Sequence, residues 1–159
     1  MSMPMQRPGD SVQNVETPFP FVRSVEILLD APIEWDLAAT VHNTKAPRFI
    51  SPMENSLEQN WKEIVGDKLC WLNPPFGKIA PWVVKCCEQK VRVVVLLPAS
   101  VGTNWFADFV HKHADVYFIR PRLVFVGQID PYPKDLMICV YGSIQRIYQT
   151  WNWSNGLIK

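Results

Sequence analysis

The sequence has no glycine-rich turn: its 7 glycines in 159 residues never form a G-x-G or a phosphate-cradling loop. A nucleotide-binding structural protein that holds phosphates on such a loop is therefore disfavoured. Charge of either sign is also scarce in the balance, with 16 Lys and Arg against 15 Asp and Glu, a net +1. Gripping nucleic acid by overall electrostatics is excluded, so any such contact comes from a local patch and is modest and salt-sensitive. No apolar run approaches the length of a membrane-spanning helix, and Met1 to Asp10 lack the apolar core of a signal peptide. The four cysteines, Cys70, Cys86, Cys87 and Cys139, form no C-x-x-C pair. They read as reduced thiols in a cytosolic protein, with no zinc site. His111 and His113 lie two apart, on different faces of a helical pattern, which argues against a metal pair.

What is present is a core-forming chain. Apolar residues make up 48% of the sequence, and the length suits one domain, here residues 15–159, behind a loose leader over 1–14. Thr17-Pro18 opens an amphipathic helical run to Leu29, with Thr as N-cap and Pro at the first helical position. Ile33 to Leu37 reads as a strand ending at Asp36, followed by the small residues Ala38 and Ala39. Asp36 either caps a following helix or presents a carboxylate at a strand tip, where it suits a cation such as an amino group. After a polar turn at His42 and Asn43 come a short strand over Pro47 to Ile50 and a stretch from Ser51 leading into a helical pattern at Trp61.

A strand at Lys68 to Trp71 delivers Leu72-Asn73-Pro74-Pro75-Phe76-Gly77, with a helical pattern from Ile79 to Gln89 behind it. Two successive prolines donate no backbone hydrogen bonds and fix φ near −65°, so the turn is stiff and cannot extend a sheet. It leaves an amide side chain, proline carbonyls and an aromatic ring at a strand tip, where open α/β sheets bind ligands. The exocyclic amino group of a base has two N–H donors. The Asn73 oxygen and the Pro74 carbonyl can accept both and bias the nitrogen lone pair toward an electrophile, while Phe76 stacks on the base. The plain structural alternative is Asn73 as the N-cap of the next helix.

Val91 to Leu97 is the clearest strand, its continuous β-branched run suiting a central parallel position. Pro98-Ala99-Ser100 ends it at the same edge as Asn73, and Thr103 to Lys112 follows as a helix. Asp115 to Ile119 is another strand, followed by Arg120-Pro121-Arg122, whose two arginines either contact phosphates, the reading favoured here, or are ordinary surface charge. Leu123 to Val126 and Leu136 to Tyr141 read as a closing hairpin-like pair, and the aromatics of the tail, Tyr148, Trp151 and Trp153, pack on the body. Strands alternating with helices, then strands together, predict an α/β three-layer sandwich with a mainly parallel sheet and an antiparallel closing strand.

Taken in order, Thr17-Pro18, Asp36-Leu37-Ala38-Ala39-Thr40 with Asn43, Trp61, Asn73-Pro74-Pro75-Phe76 with Pro81-Trp82, Leu96 to Ala99, Trp105-Phe106 and Arg120 to Phe125 form one pattern. It resembles the compact phage-type DNA N6-adenine methyltransferases over about residues 15 to 142. The resemblance implies a Rossmann-like methyltransferase fold, S-adenosylmethionine as cofactor, adenine-containing DNA as partner and the host cytoplasm as the place of action. It assigns Asn73, Pro74, Pro75 and Phe76 to catalysis, and Thr17, Pro18, Asp36, Ala38, Ala39, Asn55 and Asn73 to the cofactor. Phe76, Lys78, Ser100, Arg120 and Arg122 fall to the DNA. Asn55 departs from the family's usual aspartate there, and Phe76 stands for the commoner tyrosine. No inserted domain is present to read a long site, so recognition of duplex DNA is short or supplied by a dimer. Methylation of an RNA base or a protein glutamine, and a non-enzymatic binding or inhibitory module on the same fold, remain open at this point.

Overall fold

A computed structural model describes residues 16–155. The expected leader over 1–14 lies outside the described residues. The core of the sheet is β4, Val93–Pro98, all six residues of which are buried. It pairs in parallel with β3, Leu69–Leu72, which pairs in parallel with β1, Ile33–Asp36, itself flanked in parallel by β2, Arg48–Phe49. On the other side β6, Leu136–Tyr141, runs antiparallel to both β4 and β5, Asp115–Arg120. Beyond β5 lies β7, Tyr148–Asn152, parallel to it, which completes the order β2-β1-β3-β4-β6-β5-β7.

Strand alternation sorts the apolar side chains onto two faces. Cys70, Leu72, Val93, Val95, Leu97, Met137 and Cys139 point to one layer, and Leu69, Trp71, Val94, Leu96, Ile138 and Val140 to the other. The first face is covered by α2, Trp61–Val65, α3, Ala80–Gln89, and α4, Asn104–Phe109. The second is covered by α1, Phe19–Leu29, with Leu123 and Phe125. The expected three-layer sandwich is thus present, with three α-helices on one side and one on the other among the described residues. Burial pushes the Cys86 and Cys139 thiols well above their usual range, so they behave as inert core groups.

Four expectations are corrected. Leu123 to Val126 is no strand. Its burial alternates as a strand's would, but the place beside β5 belongs to β6, and Leu123 and Phe125 plug the core from a loop held by Val126 N–H to the Glu16 carbonyl. The tail strand β7 escaped the sequence reading because its first three residues are exposed and its apolar signal is weak. Trp151 and Trp153 do pack on the body, their rings 5.7 and 5.5 Å from Phe21. The helix expected over 103–112 stops at Phe109, whose carbonyl is taken by the Tyr141 hydroxyl at 2.6 Å and approached by Cys87 Sγ at 3.2 Å. Thr17 does not cap α1. Pro18 holds the cap position and accepts the backbone N–H groups of Phe21 and Val22, which frees the Thr17 side chain for another bond described below.

One turn depends on glycine. Gly142 leaves β6 at φ +89°, and a Cβ there would sit 2.5 Å from the Val91 carbonyl oxygen. Gly142→Ala is expected to lower unfolding free energy by at least about 1–3 kcal/mol. Gly102→Ala, with open space around it, should stay within roughly 0.5 kcal/mol. Urea midpoints with unchanged m-values check both.

Candidate active site

Because β1, β2, β3, β4 and β5 all run the same way, their carboxyl ends share one edge. Asp36 is in register with Trp71 on one side and Phe49 on the other. The ladder continues past the strand ends through Leu37 N–H to the Trp71 carbonyl, 2.9 Å, and Ala39 N–H to the Ile50 carbonyl, 3.1 Å. The tip of β1 and the proline turn after β3 are therefore neighbours. Between them opens a cavity of about 440 Å³, lined by Ala38, Ala39, Asn43, Asn55, Asn73 and Pro75 among others. Its volume falls within the range of small-molecule sites.

Each wall has a local cause. Ala38 and Ala39 bring backbone close without glycine, their side chains being the next smallest. Asn55 stands at φ +51°, a left-handed conformation that Asn tolerates better than most residues, between the two short 3₁₀ turns Pro52–Glu54 and Ser56–Glu58. Those turns make up the stretch that leads from Ser51 into α2 at Trp61, where the helical pattern was expected. Trp82 closes the far side and stacks on the fully buried Trp61, ring centroids 6.5 Å apart and 22° between planes. The Trp61 indole N–H donates to the Ser56 carbonyl at 3.0 Å, which ties the helical wall to the Asn55 turn. The signal for Trp82 in the sequence was its place in the family pattern beside Pro81.

Asn73 does not cap α3, which begins at Ala80, seven residues on. Its amide nitrogen donates to Thr17 Oγ1 at 3.2 Å. That bond fixes the rotation of the amide about its own axis and uses the hydroxyl that leaves α1 uncapped. Thr17 reaches the site through this contact, and neither Thr17 nor Pro18 lines the cavity. Pro74 is buried, and Pro75 forms part of the cavity wall. Phe76 lies on the other side of the turn, half-buried, with its ring edge-to-face against Tyr132 at 5.9 Å; Tyr132 meets Phe125 in the same way at 5.5 Å. Tyr132 was missed because it sits in the turn-rich stretch 127–135, where no periodicity marks it. Asn73 thus stands between a cavity on one side and an aromatic cluster on the other.

Asp36 comes to this edge but is buried and does not line the cavity. No helix follows β1 for it to cap. Its carboxylate accepts the backbone N–H groups of Ala38, 3.2 Å, and Lys45, 3.0 Å, and so draws the 38–45 loop closed. Burial outweighs these bonds and pushes its pKa up to about 7 from 3.8. The folded protein therefore holds a proton that the unfolded chain gives up. The resulting stabilisation is complete below about pH 4 and is lost as pH rises to about 7, at roughly 1.4 kcal/mol per pH unit. Subtracting the Asp36→Asn stability curve from the wild-type curve between pH 4 and 8 should reveal that slope; a flat difference contradicts it.

The residues expected to meet DNA share the edge unevenly. Lys78 and Arg120 are exposed, and Ser100 lies half-buried in the turn after β4. Arg122 is engaged: its Nε and Nη2 each lie 3.1 Å from Asp135, and Nη1 donates to the Pro133 carbonyl. It fastens the loop between β5 and β6. Among the described residues no helix is long and apolar enough to cross a membrane.

With the geometry in hand, comparison with known proteins is direct. The family model described as DNA N-6-adenine-methyltransferase (Dam) matches residues 8–152. A DNA N-6-adenine-methyltransferase of Haemophilus phage HP1 is 29% identical over 148 residues, covering 83% of each chain. Another, of Escherichia phage T1, is 32% identical over 91 residues, 55% of this chain and 37% of that relative. The strand-tip turn Asn73-Pro74-Pro75-Phe76, the neighbouring cavity and a match running through nearly the whole sequence converge on one assignment: the chain belongs to the DNA N-6-adenine-methyltransferase (Dam) family.

Proposed function

We propose that the protein transfers a methyl group from S-adenosylmethionine to the N6 amino group of adenine in DNA. The observation that carries this reading is Asn73, held by Thr17, standing between the cavity and the Phe76 aromatic cluster. The cavity fits the cofactor in kind: small Ala38 and Ala39 for backbone approach, Asn55 and Ser56 as polar partners, Pro52 and Trp82 as apolar walls for a planar ring. Asp36 acts on it by shaping the 38–45 loop. When bound there, S-adenosylmethionine supplies a methyl group on a sulfonium, an electrophile that needs no covalent enzyme intermediate.

The protein's own part is positioning. The Asn73 side-chain oxygen and the Pro74 carbonyl accept the two hydrogens of the adenine amino group, and its lone pair turns from the ring toward the cavity. Phe76 stacks on the extruded base, and Tyr132 keeps the Phe76 ring from swinging. The amino proton leaves to solvent after transfer. Lys78 and Arg120 supply phosphate contacts at the rim, too few for tight non-specific binding. Site reading is short or shared with a second copy of the chain. The four free cysteines suit a reducing host cytoplasm.

The test is incubation of purified protein with methyl-labelled S-adenosylmethionine and, separately, duplex DNA, single-stranded DNA, RNA and a protein extract. Label in N6-methyladenine from DNA is expected. Label confined to RNA or to protein glutamine, or binding of the cofactor without transfer to any substrate, contradicts it.

A further inference from the structure

Every loop that leaves the carboxyl ends of β1, β2, β4 and β5 carries a bare apolar side chain: Val41, Met53, Val101 and Ile129. Scattered exposed hydrophobics need no explanation, but these are not scattered. With Val124 and Val126, six of the eleven exposed large apolar residues described lie on loops of this one edge. Ile129 differs from the rest in where it is attached. It is 94% exposed at the tip of the β5–β6 loop, three residues before Tyr132, whose ring touches Phe76. Three residues of chain span at most about 11 Å, so the Ile129 backbone stays within about three base-pair steps, at about 3.4 Å each, of the Tyr132 backbone.

The loop is also braced. Tyr132 N–H donates to the Leu123 carbonyl at 2.8 Å, Gln128 N–H to Phe125 at 3.0 Å, and Ala99 N–H to Asp135 at 2.9 Å. Arg122 clamps Asp135 and Pro133 from beneath. A braced loop with an apolar tip is what prying a base step apart requires, because a loose one would fold back when pushed. Charge points the same way. With Arg122 engaged and a net charge of +1, phosphate contacts alone give this edge little hold on a duplex.

We propose that Ile129 enters the DNA stack beside the target adenine and fills the gap that the extruded base leaves. The inference rests on the adenine-methylation reading above. A base already unpaired does not need the wedge, and that separates this role from simple binding or folding. The experiment compares wild type, Ile129→Ala and Ile129→Leu on two duplexes. Both carry the adenine that the wild-type protein methylates, paired with thymine in one and opposite an abasic site in the other. Ile129→Ala should lose roughly tenfold or more in kcat/KM on the paired duplex and about twofold or less on the abasic one. Ile129→Leu should restore both. With 2-aminopurine at the target position, wild type should raise its fluorescence and Ile129→Ala should not. Equal activity of Ile129→Ala and wild type on the paired duplex overturns the proposal, as does an equal loss on both duplexes. A wild-type protein that methylates adenine in no DNA from which such duplexes could be built overturns the adenine reading itself.

Discussion

Asn73→Ala is expected to lower kcat for adenine methylation by about 10²-fold or more, while cofactor affinity changes little. The size follows from the mechanism: positioning is most of what the protein contributes, and losing an acceptor lets the amino nitrogen drift from the line of transfer. The proposed cofactor cavity is lined by Ala38, Ala39, Asn55 and Trp82 as well, so one missing amide should not collapse binding. The fold loses the bond to Thr17, on the order of 1 kcal/mol. Asn73→Asp sharpens the point. A carboxylate still accepts from the base, and the Thr17 hydroxyl can turn to donate, so this variant should recover part of the lost rate. Single-turnover kinetics with labelled cofactor measure both. An unchanged rate in Asn73→Ala removes Asn73 from the chemistry.

The second large effect falls on the wall of the cavity. Trp61→Ala removes a fully buried indole, its hydrogen bonds to the Ser56 carbonyl and hydroxyl, and the surface on which Trp82 stacks. Truncations of this kind cost about 3–5 kcal/mol, a large part of the 5–15 kcal/mol that typically holds a domain together. The denaturant midpoint should fall with little change in m-value. Trp82 would lose its support, so cofactor affinity should fall in molecules that remain folded. Trp61→Phe keeps a ring against Trp82 and leaves the Ser56 groups without the indole donor. It should lie between the alanine variant and wild type in both measurements. Stability that falls without any loss of cofactor affinity would separate Trp61 from the site.

How far the sequence went depended on whether local chemistry allowed alternatives. The turn at Asn73 to Gly77 was legible because two prolines rule out both helix and ladder, leaving only a stiff strand end. Val93 to Leu97 was legible because a continuous β-branched run has few uses other than a doubly covered strand. The segment Leu123 to Val126 misled because alternation reports which side chains point inward, not whether a neighbouring strand is available to pair with. Tyr148 to Asn152 was missed for the opposite reason: an edge strand needs hydrogen-bond partners and little burial. At the site, the sequence placed the β1 and β3 tips on one edge correctly. It could not show that Asp36 turns inward to hold its own loop, nor that Arg122 is taken by Asp135. Both depend on partners 9 and 13 residues away, which spacing alone does not reveal.

The most direct measurement is a crystal structure of the protein with S-adenosylhomocysteine, the product of methyl transfer. Density is expected inside the 440 Å³ cavity, with the adenine ring between Pro52 and Trp82 and the sulfur toward Asn73. A ligand lodged elsewhere, such as the cleft formed by Glu26, Glu34 and Lys45, or a cavity closed by the protein's own side chains with no ligand bound, would contradict it.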